Sequence, residues 1–453
     1  MTDSNFFLLL FLTALLGAVI IRYSAKKQML FQYPLLMALV CAGWVMPQLF
    51  GLYVTEQVPP DALAKTVIFI FLCVVAAVWG FSSTRRVFPM AQWELSTDRL
   101  QIGALVLMLF GLYFYQRVSE LAPEITRLYG GFWTGQITIF VFFSTTLTMG
   151  FICALAANIQ RPTLLNRGMI LVGLVMQLER VVIYGRREAA IELFTILLLY
   201  LWRKYGWLPG RWMFFGATVA GALFVNAIGS YRELMINPET YGWSGATLSN
   251  VLAIDFLGNF YNVSNDPAAN SELKNAVLNI GGTDIRMAFD GGMSLWNHLV
   301  FSFVPGQFVG AEFKQSLMVD LPDNAYLVYG HIGWPGSTST GFATAFQSFW
   351  YPGALVFFAI GYLMRRWTNA FLRGSTTGMI MLMLLTSQSL IAITHLTHTF
   401  VSIFVSIGVF VMPVLLYARV RPRRINRPLR AAQALRRSRG RSAPQRLASG
   451  SRG

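Results

Sequence analysis

Three arginines stand close together in the segment Leu178–Ile191, LERVVIYGRREAAI, between two apolar stretches. The stretch before it, Gly168–Leu178, is apolar except for one glutamine, and the stretch after it, Ala189–Trp202, is apolar except for one glutamate and one threonine. Charge at membrane depth is costly and usually marks a functional site. Guanidinium groups bind phosphate oxygens in a bidentate manner. The segment therefore predicts an anion-binding site, to which it contributes Arg180, Arg186 and Arg187.

Two local geometries are consistent with this segment. If one helix continues through it, Arg180, Tyr184 and Arg187 lie at i, i+4 and i+7 on a single face. If Gly185 ends that helix, Arg186 and Arg187 stand at the start of the next span. Several guanidinium groups converge in either case.

A purely structural role is the alternative for these arginines. In that interpretation Arg180 pairs with Glu179 or Glu188, and the other two extend to lipid phosphates. Further arginines predicted to face the same side of the membrane favour the anion site; they are Arg117, Arg127, Arg232 and Arg286.

Glu192 lies about one turn inside the second apolar stretch, four residues after Glu188. A carboxylate in a membrane needs a partner, and Arg186 or Arg187 is expected to supply one. We therefore predict that Glu188 and Glu192 support the site by orienting the arginines rather than by transferring protons.

Histidine is the other residue type here that could do chemistry near neutral pH. His331 lies in YGHIGWPGSTSTGF, where turn-forming, hydroxyl and aromatic residues suit contacts with a sugar. It is the candidate general base, with a solvated loop residue as the alternative. His395 and His398 are spaced i, i+3, but no nearby Cys, Asp or Glu completes a metal-ligand set, so no metal site is predicted. His298 lies in an apolar patch.

The composition identifies the class of protein. Of the 453 residues 55% are hydrophobic and only 12% are charged, whereas soluble domains carry about 25% charged residues. The sequence thus predicts an all-α polytopic membrane protein. Its three cysteines lie in apolar runs and suggest core packing rather than disulfides.

Eleven apolar runs are long enough to be considered as membrane spans. They are Phe6–Ile21, Met29–Tyr53, Ala62–Phe81, Leu100–Tyr115, Phe132–Ala157, Gly168–Ile183, Ala189–Trp202, Trp212–Gly229, Phe349–Met364, Thr377–Ile393 and Phe400–Tyr417. Basic residues concentrate in alternate loops and in the C-terminal tail, which has twelve arginines from Arg419 onwards. The positive-inside rule then predicts a periplasmic N-terminus and a cytoplasmic C-terminus.

The predicted organisation has four parts. Residues 1–230 form spans one to eight, residues 231–348 a large periplasmic loop, residues 349–418 spans nine to eleven, and residues 419–453 a basic cytoplasmic tail. The loop carries ten acidic residues against four basic ones, and patches such as SLWNHLVFSFVPGQF predict short amphipathic helices. The tail has too little apolar content to fold and is predicted to be disordered near anionic head groups. It has no aromatic residues among its arginines, so no nucleic-acid partner is predicted.

The sequence lacks the common nucleotide and hydrolase motifs. There is no Walker-A loop, no dinucleotide-binding fingerprint, no G-x-S-x-G and no H-E-x-x-H.

Two segments resemble a known family. YGRREAAIELFTILLLYLW is similar to the arginine-headed span of the bacterial oligosaccharide repeat-unit polymerases of the Wzy type, which make O-antigen and exopolysaccharide. GSTSTGFATAFQSFWYPGALVFFAIGYLMRRW resembles their return into the membrane after the large periplasmic loop. The number of spans and the position of the long loop agree as well. The doubled Arg186-Arg187 departs from the family pattern and leaves open which arginine corresponds to the family's.

The resemblance implies a multi-pass glycosyltransferase of the bacterial inner membrane, with a GT-C-like architecture. Its substrate would be an oligosaccharide linked to undecaprenyl diphosphate, and no metal, nucleotide sugar or other cofactor would be needed. The diphosphate ligands would come from Arg180, Tyr184, Arg186, Arg187, Arg232 and Arg286, with Arg187 and His331 as catalytic residues. An acidic residue of the large loop is the alternative to His331 as the base. Membrane lipids and a chain-length regulator protein are the further partners that the resemblance implies.

Three alternatives stay open at this stage. O-antigen ligases share the architecture and differ in the acceptor. A transporter of lipid-linked glycans or anions would use the arginines as a selectivity site, but it needs polar residues along several spans. A membrane scaffold would use the external loop as a partner-binding surface.

Overall fold

The computed structural model describes residues 2–129, 136–236, 253–256, 258, 271–333 and 338–420. Within these residues the chain is helical, and the β-structure is confined to an isolated bridge between Leu95 and Arg419. The helices in chain order are α1 (Thr2–Ser24), α2 (Tyr33–Thr55), α3 (Pro60–Ser82), α4 (Thr97–Tyr129), α5 (Gln136–Ser144), α6 (Thr146–Gln160), α7 (Leu164–Val182), α8 (Arg187–Tyr205), α9 (Arg211–Ile236), α10 (Ser271–Arg286), α11 (Met293–Phe303), α12 (Gly306–Val309), α13 (Ala311–Ser316), α14 (Asn324–Tyr329), α15 (Gly341–Phe349), α16 (Ala354–Leu372), α17 (Thr376–Thr394) and α18 (Thr397–Ala418). The predicted basic tail, from residue 421 onwards, lies outside the described residues.

The prediction of an all-α membrane protein is confirmed. Each of the eleven apolar runs falls largely within helices, as far as it is described. Among the described residues, seven helical segments are long and apolar enough to cross a membrane by length and composition. They are Ser4–Ser24, Tyr33–Thr55, Pro60–Ser82, Thr97–Leu121, Ile137–Gln160, Thr376–Thr394 and Thr397–Ala418.

Two of the long helices contain a π-helical turn, and in both a proline explains it. The turn Cys41–Val45 in α2 precedes Pro47, and the turn Ile407–Val411 in α18 precedes Pro413. A proline inside a helix has no N–H to donate and its ring clashes with the carbonyl four residues earlier. The wider turn accommodates the ring without ending the helix.

Small residues allow the helices to pack closely. A Cβ atom at Gly80 of α3 would collide with the backbone of Phe358, and one at Gly361 of α16 with that of Ala77. Such contacts between small residues are the usual way for membrane helices to approach each other. Helix α17 lies at the centre of the bundle, where it packs against α6, α8, α16 and α18, and nearly all of its side chains are buried.

The bundle has two opposite ends, and hydrogen bonds between helices tie one of them together. At one end Gln160 Nε2 donates to Thr376 Oγ1 over 2.7 Å, and Arg203 Nη2 donates to the carbonyl of Gly374 over 2.7 Å. We call this end, formed by residues 22–32, 83–96, 161–163, 206–210 and 373–375, the basic end. The opposite end, which we call the site end, carries the turns between α7 and α8 and between α17 and α18.

The described part of the 231–348 segment packs on the site end through α10. This helix contacts α3, α14 and α15. Lys65 of α3 and Asp284 of α10 form an ion pair at 2.5 Å, and Trp350 Nε1 donates to Asp284 over 2.9 Å. The predicted patch around SLWNHLVFSF forms α11, which ends at Phe303 because Pro305 follows.

Candidate functional site

A cavity of about 300 Å³ opens between α4, α5, α6, α7, α8, α17 and α18, towards the site end. We call it the arginine cavity, because Arg180 and Arg186 line it. Its other polar lining includes Tyr115, Ser144, Thr148, Gln177, Gln388 and Ser402. Ligand pockets in proteins start at about this volume, with a few placed polar groups on apolar walls.

The turn between α7 and α8 follows the second of the two predicted geometries. Helix α7 ends at Val182, and Gly185 has a φ of 54°, in the left-handed region that glycine adopts without strain. The backbone N–H of Arg186 then bonds to the carbonyl of Arg180 over 3.2 Å. The chain reverses here, so the single-face arrangement at i, i+4 and i+7 does not form.

Arg180 is held by groups from three helices. Its Nη1 donates to Gln177 Oε1 over 3.0 Å, to Glu192 Oε2 over 3.3 Å and to Thr148 Oγ1 over 3.4 Å. Gln177 Nε2 also donates to Thr148 Oγ1, over 2.6 Å. The Arg180 side chain is 23% exposed, so this network fixes a partly buried guanidinium at the cavity wall.

Two carboxylates accompany the arginines. Glu192 is 14% exposed and pairs with Arg180, whereas the sequence favoured Arg186 or Arg187 as its partner. Glu188 is 43% exposed and lies 3.8 Å from Arg186 and 4.0 Å from Arg180. The two arginines and two glutamates described at the cavity therefore sum to no net charge.

The remaining predicted diphosphate ligands are found in three different situations. Tyr184 lines the arginine cavity. Arg187 begins α8 beside the cavity, and Arg232 lies in α9; both side chains are outside the described part. Arg286 ends α10 and donates to Asn324 Oδ1 over 2.8 Å, and among the described residues it is not part of the cavity lining.

His331 lies away from the cavity lining, within the described residues. Its Nε2 is 2.7 Å from Asn275 Oδ1 on α10. Burial, and then the positive charge of Lys274, lower the pKa of His331 below its usual value. The imidazole is therefore neutral near pH 7, in the form that a general base requires, but the structure does not bring it together with Arg180.

A stripe of hydroxyl groups on α18 was not predicted from the sequence. Thr399, Ser402 and Ser406 lie at i, i+3 and i+7 within an apolar run, and all three line the arginine cavity. This spacing places them on one helix face, so the signal was present in the sequence. Gln388 of α17 joins them at the cavity wall.

A second polar cluster joins α11, α15 and α18 at the site end. Ser294 Oγ lies 3.3 Å from Ser348 Oγ and 3.3 Å from His398 Nε2, and the rings of His298 and His398 are 5.6 Å apart. The Asp290 Oδ2 atom is buried and has no hydrogen-bond partner among the described residues. His398 directly precedes Thr399, so this cluster borders the arginine cavity.

The predictions on metal and cysteine chemistry can be compared with the described residues. These contain no group of three or more His, Cys, Asp or Glu side chains placed to hold a metal ion. Cys41, Cys73 and Cys153 are buried free thiols, as expected for core residues.

Comparison with known proteins gives no relative. No protein-family model matches the sequence, and neither the curated proteins nor the solved structures contain a match.

Proposed function

We propose that this chain is a membrane glycosyltransferase that polymerises oligosaccharide units carried on undecaprenyl diphosphate. In this proposal eleven helices span the inner membrane in a GT-C-like arrangement, with the N-terminus and the site end facing the periplasm. The basic end faces the cytoplasm, in agreement with the positive-inside rule.

The observation that carries the proposal is the arginine cavity. When the bond between a sugar and a diphosphate breaks, negative charge develops on the leaving phosphate. Donors that are already in position stabilise such charge without reorganisation. Arg180 meets this requirement because Gln177, Thr148 and Glu192 fix its guanidinium at the wall.

The neutral charge balance of the cavity gives its two arginines different roles. Arg180 is held by the buried Glu192 and acts as a fixed donor. Arg186 contacts the more exposed Glu188 at 3.8 Å, which is beyond hydrogen-bond distance. A diphosphate can replace that carboxylate as the partner of Arg186. Arg187, the first residue of α8, is the third arginine of this turn.

The hydroxyl and amide groups of the cavity suit the sugar end of the donor. Ser402, Thr399 and Gln388 line the wall formed by α17 and α18. In the reaction the acceptor hydroxyl oxygen attacks the anomeric carbon as the bond to the diphosphate oxygen breaks. The hydroxyl proton passes to a base, for which His331 remains our candidate, and the diphosphate lipid leaves. Exclusion of water by the surrounding helices favours transfer over hydrolysis.

The test replaces Arg180 by Lys and by Ala in a cell that lacks its own polymerase. Glycan chain length is measured, with the membrane level of the protein as control. Lys has no planar fork to bridge two oxygens, so we expect Arg180→Lys to lose much of the activity. Arg180→Ala should lose about 10²-fold, since one donor to a developing charge contributes roughly that factor.

Arg117→Ala is the matched control. Arg117 also belongs to an ion pair towards the site end, with Glu120 at 2.9 Å, but its side chain is 49% exposed and is not part of the described cavity lining. Wild-type chains from Arg180→Lys, or equal losses from the Arg117 and Arg180 variants, would contradict the proposal. A single added unit instead of a ladder would indicate the ligase reaction, and uptake of lipid-linked glycan without new linkages would indicate a transporter.

A further inference from the structure

The basic end contains an arginine whose side chain forms no ion pair within the described residues. Arg365 lies near the end of α16, and its guanidinium stands over the ring of Phe81 at 5.0 Å. Its Nε atom is buried and has no acceptor among the described residues. A buried donor without an acceptor is costly, more so when it carries charge, so this position suits a ligand that supplies an acceptor.

A second arginine and two hydroxyl groups stand near Arg365, and a third arginine lies on the adjacent helix α1. Arg22 lies over the ring of Tyr23 at 6.0 Å, and the Tyr23 ring contacts that of Phe81 at 6.2 Å. The Tyr23 hydroxyl is 3.5 Å from Ser82 Oγ. Arg85 is close enough to Arg365 for their positive charges to repel each other. The segment after α3 thus brings Arg85 next to Arg365 of α16, and α1 contributes Arg22 at the same end of the bundle.

The next arginine, Arg366, also has a buried Nε without an acceptor among the described residues, but Arg366 and Arg373 each donate to a backbone carbonyl. Arg366 Nη2 donates to the carbonyl of Val87, and Arg373 Nη2 donates to the carbonyl of Arg85, both over 3.0 Å. These bonds fix the backbone after α3 and so hold Arg85 at the basic end. None of the ion pairs in the described part of the chain involves Arg22, Arg85 or Arg365.

The surroundings indicate what kind of anion fits. Ile21 precedes Arg22 and is 73% exposed, and Trp79 lies one turn before Ser82 and is 63% exposed. Large apolar side chains exposed beside a group of arginines, on helices that cross a membrane, match the boundary between acyl chains and head groups. A phosphate offers several acceptor oxygens to several guanidinium groups at once.

We propose that Arg85 and Arg365 bind the phosphate of an anionic lipid head group at the basic end of the bundle, and that Arg22 on α1 adds positive charge to this site. The acyl chains of this lipid lie along α1 and α3, against Ile21 and Trp79. The site is separate from the arginine cavity, which lies towards the opposite end, and it does not depend on the glycosyl-transfer proposal.

The experiment uses the purified full chain in detergent and follows lipid binding by native mass spectrometry, with thermal stability as a second readout. The probes are phosphatidylglycerol, phosphatidylcholine with the same acyl chains, and inorganic phosphate. We expect phosphatidylglycerol to bind and to raise the melting temperature, and phosphatidylcholine to do neither. Inorganic phosphate should have little effect, because it lacks the acyl chains.

The variants separate a built site from general surface charge. Arg365→Gln should weaken phosphatidylglycerol binding by about tenfold or more, since it removes one charge-assisted contact to the phosphate. Arg85→Gln, at an exposed position that tolerates substitution, should weaken it in the same direction without affecting folding. Arg167→Gln removes one exposed charge from the same end of the bundle, at the start of α7, and should leave binding unchanged.

Three outcomes would overturn the proposal. Equal weakening by Arg167→Gln would reduce the effect to surface charge. Equal stabilisation by inorganic phosphate would show a free-anion site in place of a lipid site. Equal binding of phosphatidylcholine would show that the three arginines do not recognise the phosphate charge.

Discussion

The Arg180–Glu192 ion pair allows structural support to be separated from chemistry by a double-mutant cycle. Removing one member of a buried pair costs about 3–5 kcal/mol, because the other charge is left without its partner. Both side chains are largely buried, at 23% and 14% exposure, but Gln177 remains a polar neighbour. We therefore expect Arg180→Gln to lower the free energy of unfolding by about 3 kcal/mol, at the lower end of that range. Glu192→Gln keeps an acceptor oxygen and should cost about 1–2 kcal/mol.

The double variant removes both charges and should be more stable than Arg180→Gln alone. We expect a coupling energy of about 1–3 kcal/mol, measured by unfolding in mixed detergent micelles. The surface pair Arg117–Glu120, with side chains 49% and 45% exposed, provides a control cycle, for which about 0.2–0.5 kcal/mol is expected.

Glycosyl transfer should respond differently from stability. The double variant lacks the Arg180 guanidinium, so it should lose about 10²-fold in transfer although part of its stability returns. If transfer instead followed stability across all three variants, Arg180 would be a structural residue. A coupling energy no larger than that of the surface pair would refute the account of how Arg180 is held.

Three further predictions concern other parts of the chain. His331→Ala should lower transfer by about 10²-fold if His331 is the general base. Because burial and Lys274 lower the pKa of His331, wild-type transfer should decline only as the pH falls below the usual histidine value of about 6.5. An unchanged pH profile in the variant would exclude this role. Gly185→Ala should destabilise the turn by about 1 kcal/mol, since its φ of 54° is strained for alanine, and should reduce transfer by displacing Arg186. Gly168→Ala, in open space on α7, is the control and should leave transfer unchanged without loss of stability. A reporter fused after Gly453 should be active only in the cytoplasm, and periplasmic activity would contradict the predicted orientation.

The helices could be predicted from the sequence because hydropathy alone identifies membrane segments. Apolar runs of sufficient length must form helices in a bilayer, where each backbone polar group needs an internal partner. Their ends were less certain: α4 continues to Tyr129 and α9 to Ile236, beyond the apolar runs that predicted them. Charged residues extend these helices past the hydrophobic region, and hydropathy gives no signal for that.

Most of the residues of the site could be predicted from the sequence, but which carboxylate pairs with which arginine could not. Glu179 and Glu188 stood as alternative partners for Arg180, because both are close in the chain. The structure adds Glu192, twelve residues away, because the turn at Gly185 folds α8 back along α7. The direction of such a reversal depends on how both helices pack against the rest of the bundle. The contribution of Gln388 and Ser402 depends on the same tertiary packing.

An ion pair alone does not distinguish a binding site from a structural contact. Arg180 and Glu192 satisfy each other, and a bundle that needed only this pair would close around it, since protein interiors pack with few voids larger than a water molecule. Here a cavity of about 300 Å³ remains beside the pair, and polar groups from α6, α17 and α18 line it together with the arginines. Burying polar side chains in a membrane costs free energy unless they hydrogen-bond to one another, to a ligand or to water. Their convergence on an open space next to a fixed guanidinium is what favours a bound substrate over structural support.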